Sequence, residues 1–257
     1  MSVAEELIME SPVEMSPPHP IYDDFTYWRT HKERFRRTVM LFSQHTRERP
    51  ACVLDIGSHF LHFATIMHLL GYETYGCDMA EFGMLPAIQQ RADRLSVENL
   101  VIHPLVQLRT LPYRTQQFDA VFLLETLEHF NANPKLLIQE IHRILRPGGR
   151  LVITTPNYYS YQKLGLRIVR ILKGEGGYIP VKELIGEENF THHWKEYSRR
   201  ELRELFSAFG YRELFFGSLT GLGGKFPKWI YRLCRPWGLF LYVEYAKEEH
   251  TTASIVS

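Results

Sequence analysis

A chain of 257 residues, 45% hydrophobic and 23% charged, can bury one sizeable core and has an ordinary globular composition. A net charge of +1 gives no global reason to expect nucleic acid, and no apolar run reaches the roughly 18–20 residues that span a bilayer. Cys52, Cys77 and Cys234 have neither metal nor disulfide spacing, and the first residues lack a basic, apolar leader, so a reducing cytoplasm is expected.

Residues 1–20 carry Pro12, Pro17, Pro18 and Pro20 without periodicity and are expected to form a mobile tail. Residues 21–50 read as a helical cap on a domain filling 51–257, with Tyr22, Tyr27 and Trp28 set to close one side of a site. The basic residues Arg29, Lys32, Arg34, Arg36 and Arg37 of that segment read as a solvated face. A strand over 52–56 runs into Gly57 and Ser58. Phe60, Phe63, Ala64, Met67 and Leu70 then share a helical face that Gly71 ends. A second strand, 73–77, delivers Asp78, and a helix over 85–95 and a strand near 100–103 follow.

The run FDAVFLLETLEHFNANPKLLIQEIHRILRPGGRLVITTPN is a strand (120–124), an acid- and histidine-bearing turn, a helix and a second strand (151–155). Asn133 caps the helix, Pro134 suits its first turn, and Leu137, Ile141, Ile144 and Leu145 make its apolar face before Pro147, Gly148 and Gly149 stop it. Such a βαβ unit builds a parallel sheet whose ligands lie beyond the carboxyl ends of the strands, which puts Glu125, Glu128 and His129 where chemistry is done. Residues 158–197 interrupt the pattern with a basic helix and a glycine-rich loop. They are expected to form an acceptor-side insertion carrying Tyr158, Tyr159, Tyr161 and Tyr178. Ser198 and Glu201 form a capping box for a helix whose inner face is Leu202, Leu205, Phe206 and Phe209. A sixth strand begins at Tyr211 and a seventh covers 239–245.

Gly57 allows a backbone to approach a ligand, and the helix start after it offers free amides to a carboxylate or phosphate. Asp78, 21 residues beyond Gly57, stands where dinucleotide folds bind ribose hydroxyls. Position alone suggests an NAD enzyme, but the chain lacks a full G-x-G-x-x-G loop. The series VLDIGS, YGCD, LPYRTQQFDAVFLLETLEHF and RILRPGGRLVITTPN resembles the class I S-adenosylmethionine-dependent methyltransferases over about residues 51–216. The resemblance implies an α/β, Rossmann-like, seven-stranded and mostly parallel sheet with helices on both faces and an antiparallel last strand. It also implies S-adenosylmethionine as cofactor, bound by Asp55, Gly57, Ser58, Asp78, Gln107, Leu108 and Leu124. His59 and Leu61 stand where the family has glycines and narrow the space beside the methionine end.

If the turn after the fourth strand is helical, Glu125, Glu128 and His129 point one way, and E-x-x-E-H can hold a divalent ion. The segments ETLEH and THHWKEYSRREL resemble ubiquinone-biosynthesis O-methyltransferases, and some small-RNA 2′-O-methyltransferases use a similar metal site. By that resemblance the ligands of a Mg, Mn or Zn ion are Glu125, Glu128, His129 and His192. The metal-free alternative gives catalysis to His129 or His193 as general base beside Glu125. His62, His68, His103 and His142 read as structural or solvated. The function expected is O-methylation of a hydroxyl on a small molecule or glycan. Two alternatives remain open. One is an inactive methyltransferase-fold binding or scaffold protein, motivated by His59 and Leu61. The other is a membrane-surface enzyme for a lipid-linked acceptor, motivated by Trp229, Trp237 and Phe240 among basic residues. The sequence gives no oligomeric state.

Overall fold

The computed structural model of the chain describes residues 2–10, 23–45, 51–79, 83–102, 111–130, 133–160, 163, 165, 168–169, 172, 193–219 and 238–248. Strands β1 (Cys52–Ile56), β2 (Glu73–Met79), β3 (Glu98–Ile102), β4 (Phe118–Leu124), β5 (Leu145–Pro156), β6 (Tyr211–Ser218) and β7 (Phe240–Lys247) form one sheet in the order β3-β2-β1-β4-β5-β7-β6. The first five strands pair in parallel, and β7 enters between β5 and β6, antiparallel to both. The expected sheet is therefore present. Strand order reverses between β1 and β4, which opens a crevice at their carboxyl ends.

The helices are α1 (Ser2–Glu10), α2 (Asp24–His45), α3 (His62–Leu69), α4 (Pro86–Leu95), α5 (Lys135–Ile144) and α6 (Arg199–Ser207). β4 shows why they take both faces. Val121 and Leu123 pack with Leu137, Ile138 and Ile141 of α5 and with Leu202 and Phe206 of α6. Ala120, Phe122 and Leu124 pack with Trp28, Phe35 and Phe42 of α2 and with Phe63, Ile66 and Met67 of α3. A strand covered on both sides has no polar face to show, hence its nearly unbroken apolar run.

Three expectations need correction. Residues 2–10 are not a mobile tail: they form α1, because Ala4 and Ile8 find a buried place in the core shared by α2 and α3. The proline-rich part, 11–20, lies outside the described residues. β5 starts at Leu145 rather than near 151, running through Pro147 and Gly149 with a register shift against β4 between Phe118 and Ala120. The left-handed φ of 71° at Gly148 absorbs that irregularity. β3 begins at Glu98, two residues earlier than the apolar residues alone suggest. Most of 158–197, including Tyr161 and Tyr178, and residues 225–237 lie outside the described residues. No helix among the described residues is long and apolar enough to cross a membrane.

Candidate active site

β1 ends in Asp55-Ile56-Gly57, and the chain turns there with φ 81° at Gly57. Only glycine fits. A Cβ at this position would collide with the Thr126 side chain, whose Oγ1 also donates to Ile56 O (3.1 Å) and Leu124 O (3.2 Å), tying together the ends of β1 and β4. The loop then uses two non-glycine residues in the left-handed region, His59 (φ 47°) and Leu61 (φ 61°), a conformation that costs on the order of 1 kcal/mol each. Gly57 N and Ser58 N both donate to Cys77 O (2.8 and 3.2 Å), and His59 N donates to Asp78 Oδ2. These three amides, expected to be free for a ligand, are committed within the loop instead. Asp78 also accepts from Met79 N at 2.6 Å, so the carboxylate that ends β2 braces the turn.

A narrow cleft lies here, lined by Tyr27, Phe35, Asp55, Gly57, Ser58, His59, His62 and Leu124 among others. Asp55 is buried, its Oδ1 has no hydrogen-bond partner among the described residues, and burial with the neighbouring Asp78 charge pushes its carboxyl up to about 8. A buried carboxyl left without a partner calls for a cationic or hydrogen-bonding ligand group. The wall opposite comes from α2. Tyr27 stacks on His59 (4.3 Å between centroids, 18° between planes), as expected of an aromatic that closes the site, whereas Trp28 is core. Tyr22 lies outside the described residues.

Sequence reasoning missed Arg34. It reads as part of a solvated basic face, yet it is buried, lies over the Phe240 ring at 4.7 Å, and sets Nη1 3.3 Å from Glu125 Oε2. Its Nε has no partner among the described residues. The signal was available: Arg34 precedes Phe35 on the apolar side of an otherwise charged helix.

On the acceptor side, β4 ends at Leu124, Glu125 takes φ 55°, and a single 3-10 turn covers Leu127–His129. The E-x-x-E-H residues therefore do not point one way. Glu125 turns to Arg34. Glu128, fully buried, accepts from Thr155 Oγ1 at 3.0 Å, and its Oε1 has no partner among the described residues. Burial raises the pKa of both carboxyls, that of Glu128 well above the ordinary range because Glu125 adds to the penalty, while Arg34 opposes the rise at Glu125. Trp194 N donates to Glu128 O (2.8 Å), which brings the segment before α6 over this turn. His193 thereby meets His129 with ring centroids 4.9 Å apart, and its Nδ1 lies 3.6 Å from Glu196 Oε1.

Among the described residues, one ligand atom each from Glu128, His129 and His193 lie within 4.8 Å of one another, a spacing suited to one ion; Glu125 is not in that group. His192, Gln107 and Leu108 lie outside the described residues. For the donor, the residues present fit the amino-acid end: an unpaired buried carboxyl and an aromatic wall.

A family profile described as a methyltransferase domain matches residues 27–214. The chain is 33% identical over 129 residues to the ubiquinone biosynthesis O-methyltransferase of Ruegeria pomeroyi, covering 48% of this chain and 50% of that protein. It is 31% identical over 167 residues to the mitochondrial ubiquinone biosynthesis O-methyltransferase of Dictyostelium discoideum, covering 61% and 48%. The chain thus spans about half the length of these curated relatives. A solved SAM-dependent methyltransferase of Methanosarcina mazei shares the fold, with a TM-score of 0.57 at 18% identity over 82% of this chain and 98% of the other. With the profile covering most of the chain and the donor loop at the end of β1, this protein belongs to the class I S-adenosylmethionine-dependent methyltransferases.

Proposed function

We propose that the chain transfers a methyl group from S-adenosylmethionine to a hydroxyl of a small molecule or glycan. One observation carries the reading: a donor-type cleft with an unpartnered buried Asp55 adjoins, across Thr126, a turn bearing the buried Glu128, the partly buried Glu125 and two facing imidazoles. The names of the relatives support oxygen as the acceptor atom. Residues 158–197 serve as the acceptor-side insertion over a 51–257 catalytic domain, and the buried thiols Cys52 and Cys77 suit a reducing, cytoplasmic setting.

When bound, S-adenosylmethionine supplies an electrophilic methyl on a sulfonium. Asp55 takes its ammonium, and Asp78, near the end of β2, takes the ribose diol. Gln107 and Leu108 are assigned to the adenine on the family resemblance. Burial and the neighbouring Glu125 raise the pKa of Glu128 well above the ordinary range, and the imidazoles of His129 and His193 take the acceptor proton. Glu196, 3.6 Å from Nδ1, steadies the His193 ring. Fixing oxygen, methyl and sulfur in line supplies much of the remaining rate.

A second reading is favoured by the Glu128, His129 and His193 grouping: these residues hold a divalent ion, which would acidify a coordinated hydroxyl. Methyl-transfer assays on catechol and vicinal-diol acceptors, with and without exhaustive chelation, separate the two. Loss on chelation with recovery on Mg, Mn or Zn supports the ion. Activity that resists chelation but falls about 10²–10⁴-fold in His193→Ala supports the general base. No binding of S-adenosylhomocysteine at millimolar concentration would sink both and favour a binding or scaffold protein.

A further inference from the structure

Three buried polar side chains converge where the N-terminal helices meet the donor loop. Arg91 of α4 donates to Asp24 Oδ2 (2.7 Å) and Oδ1 (3.2 Å) on α2, to Ile8 O (3.3 Å) on α1, and to Phe60 O (2.7 Å) in the donor loop. His62, at the start of α3, completes the cluster through Nε2 to Asp24 Oδ1 at 2.5 Å. All three side chains are buried. One guanidinium thus holds α1, α2 and the loop that carries His59 and Leu61 in the left-handed region. Further bonds fasten the same helices, Lys32 to Glu5 (2.7 Å) and Arg94 to Leu7 O (3.3 Å), while Tyr27 lies flat on His59.

A loop with two non-glycine residues at positive φ keeps that shape only where its surroundings over-determine it. Here those surroundings are β2, through Cys77 O and Asp78, and the cap. Tyr27 and Phe35, which line the cleft, ride on α2, so the donor cavity is complete only while the cap is down.

We propose that the Arg91–Asp24–His62 cluster is a latch that couples docking of the N-terminal cap to donor binding, with Arg91 as a positioning residue. By linkage the coupling runs both ways: a docked cap raises donor affinity, and a bound donor holds the cap. The proposal rests on the donor reading of the cleft. It supplies a reason for His59 and Leu61, since a loop of glycines would need no such brace but would also transmit nothing to the cap.

The helix α1 provides the diagnostic. No residue of α1 lines the cleft, so a donor touching the cleft alone leaves its amides unchanged. The test is hydrogen exchange on the full chain with and without S-adenosylhomocysteine, beside calorimetry on wild type and Arg91→Lys. The expected result is at least tenfold slower exchange across 2–10 when the ligand is bound. In Arg91→Lys, affinity falls at least tenfold, and saturating ligand protects the β1–α3 loop but no longer α1. Binding to wild type with unchanged exchange in α1 overturns the latch and leaves the donor reading intact, as does an Arg91→Lys affinity within twofold of wild type. Absence of any binding to wild type overturns the donor reading and the latch with it. Should Arg91→Lys fail to fold, the wild-type exchange comparison still decides.

Discussion

Asp55 is the residue whose chemistry is most exposed to test. Its carboxyl titrates near 8 because burial and the Asp78 charge both disfavour ionisation. Without ligand it is therefore protonated at pH 7, and pairing with a ligand ammonium expels that proton. Affinity for S-adenosylhomocysteine should rise with pH up to about 8 and then level off. Calorimetry at pH 7 in buffers of different ionisation enthalpy should register release of close to one proton; a buffer-independent heat would contradict the pairing. Asp55→Asn should bind more weakly by roughly 10–100-fold, the cost of losing a charge-assisted contact of about 1.5–3 kcal/mol, with no release. At Gly57 the argument is steric. Gly57→Ala combines an unfavourable φ of 81° with a collision against Thr126, so donor binding should be lost while far-ultraviolet dichroism stays native. Normal binding by that variant would mean that the turn is free to relax.

At the scale of elements, local rules decide most of what is observed. Ser198 and Glu201 form the reciprocal cap that the sequence predicts: Ser198 Oγ accepts from Glu201 N at 3.3 Å, and Glu201 Oε2 accepts from Ser198 N at 2.9 Å. Ser198→Ala should cost about 1 kcal/mol and lower the melting temperature by about 2–4 °C, measurable by scanning calorimetry. The cost bears on function, because α6 follows directly on the His193–Tyr197 segment that Trp194 N and Lys195 N tie to Glu128 O. At α5 the N-cap position falls to Pro134 rather than to Asn133, whose Oδ1 still accepts from Lys135 N at 2.9 Å. Local rules failed at the turn after β4. The E-x-x-E-H spacing suggests a helical face, but Thr126 must bond back to Ile56 O, and Glu125 is turned away toward Arg34. A contact 70 residues distant in sequence overrode the i, i+3, i+4 pattern.

At the scale of the whole molecule, the cap's contribution should appear as acid sensitivity. Burial alone would raise the pKa of Asp24, but the His62 and Arg91 contacts outweigh it and hold the carboxyl down to about 2, against 3.8 unperturbed. A folded pKa below the unfolded one means stabilisation that is fully present above about pH 4 and lost as pH falls through about 2. The sum is on the order of 2 kcal/mol. Urea titrations between pH 5 and pH 2 should show falling stability with exchange in α1 and α2 rising first. A flat profile over that range would place the acid-sensitive contacts elsewhere.

Most strand and helix positions and the ends of β1, β2 and β4 are legible from periodicity and punctuation, since a strand buried on both faces, a capped helix and a glycine turn each leave a local mark; the seven-stranded sheet with its antiparallel last strand was implied by the family resemblance, and the strand order came from the structure. Asp55, Gly57, Asp78 and Glu128 follow from those marks because parallel sheets put chemistry at their carboxyl ends. What α1 and Arg34 do is not legible, because burial is a property of what lies opposite and not of the residue itself. Which imidazole faces which, and that Glu125 leaves the cluster for Arg34, were decided only when distant segments were brought within a few ångströms. Sequence determined the frame by short-range rules; the tertiary structure alone settled the partners, because charge pairing and burial depend on distance in space.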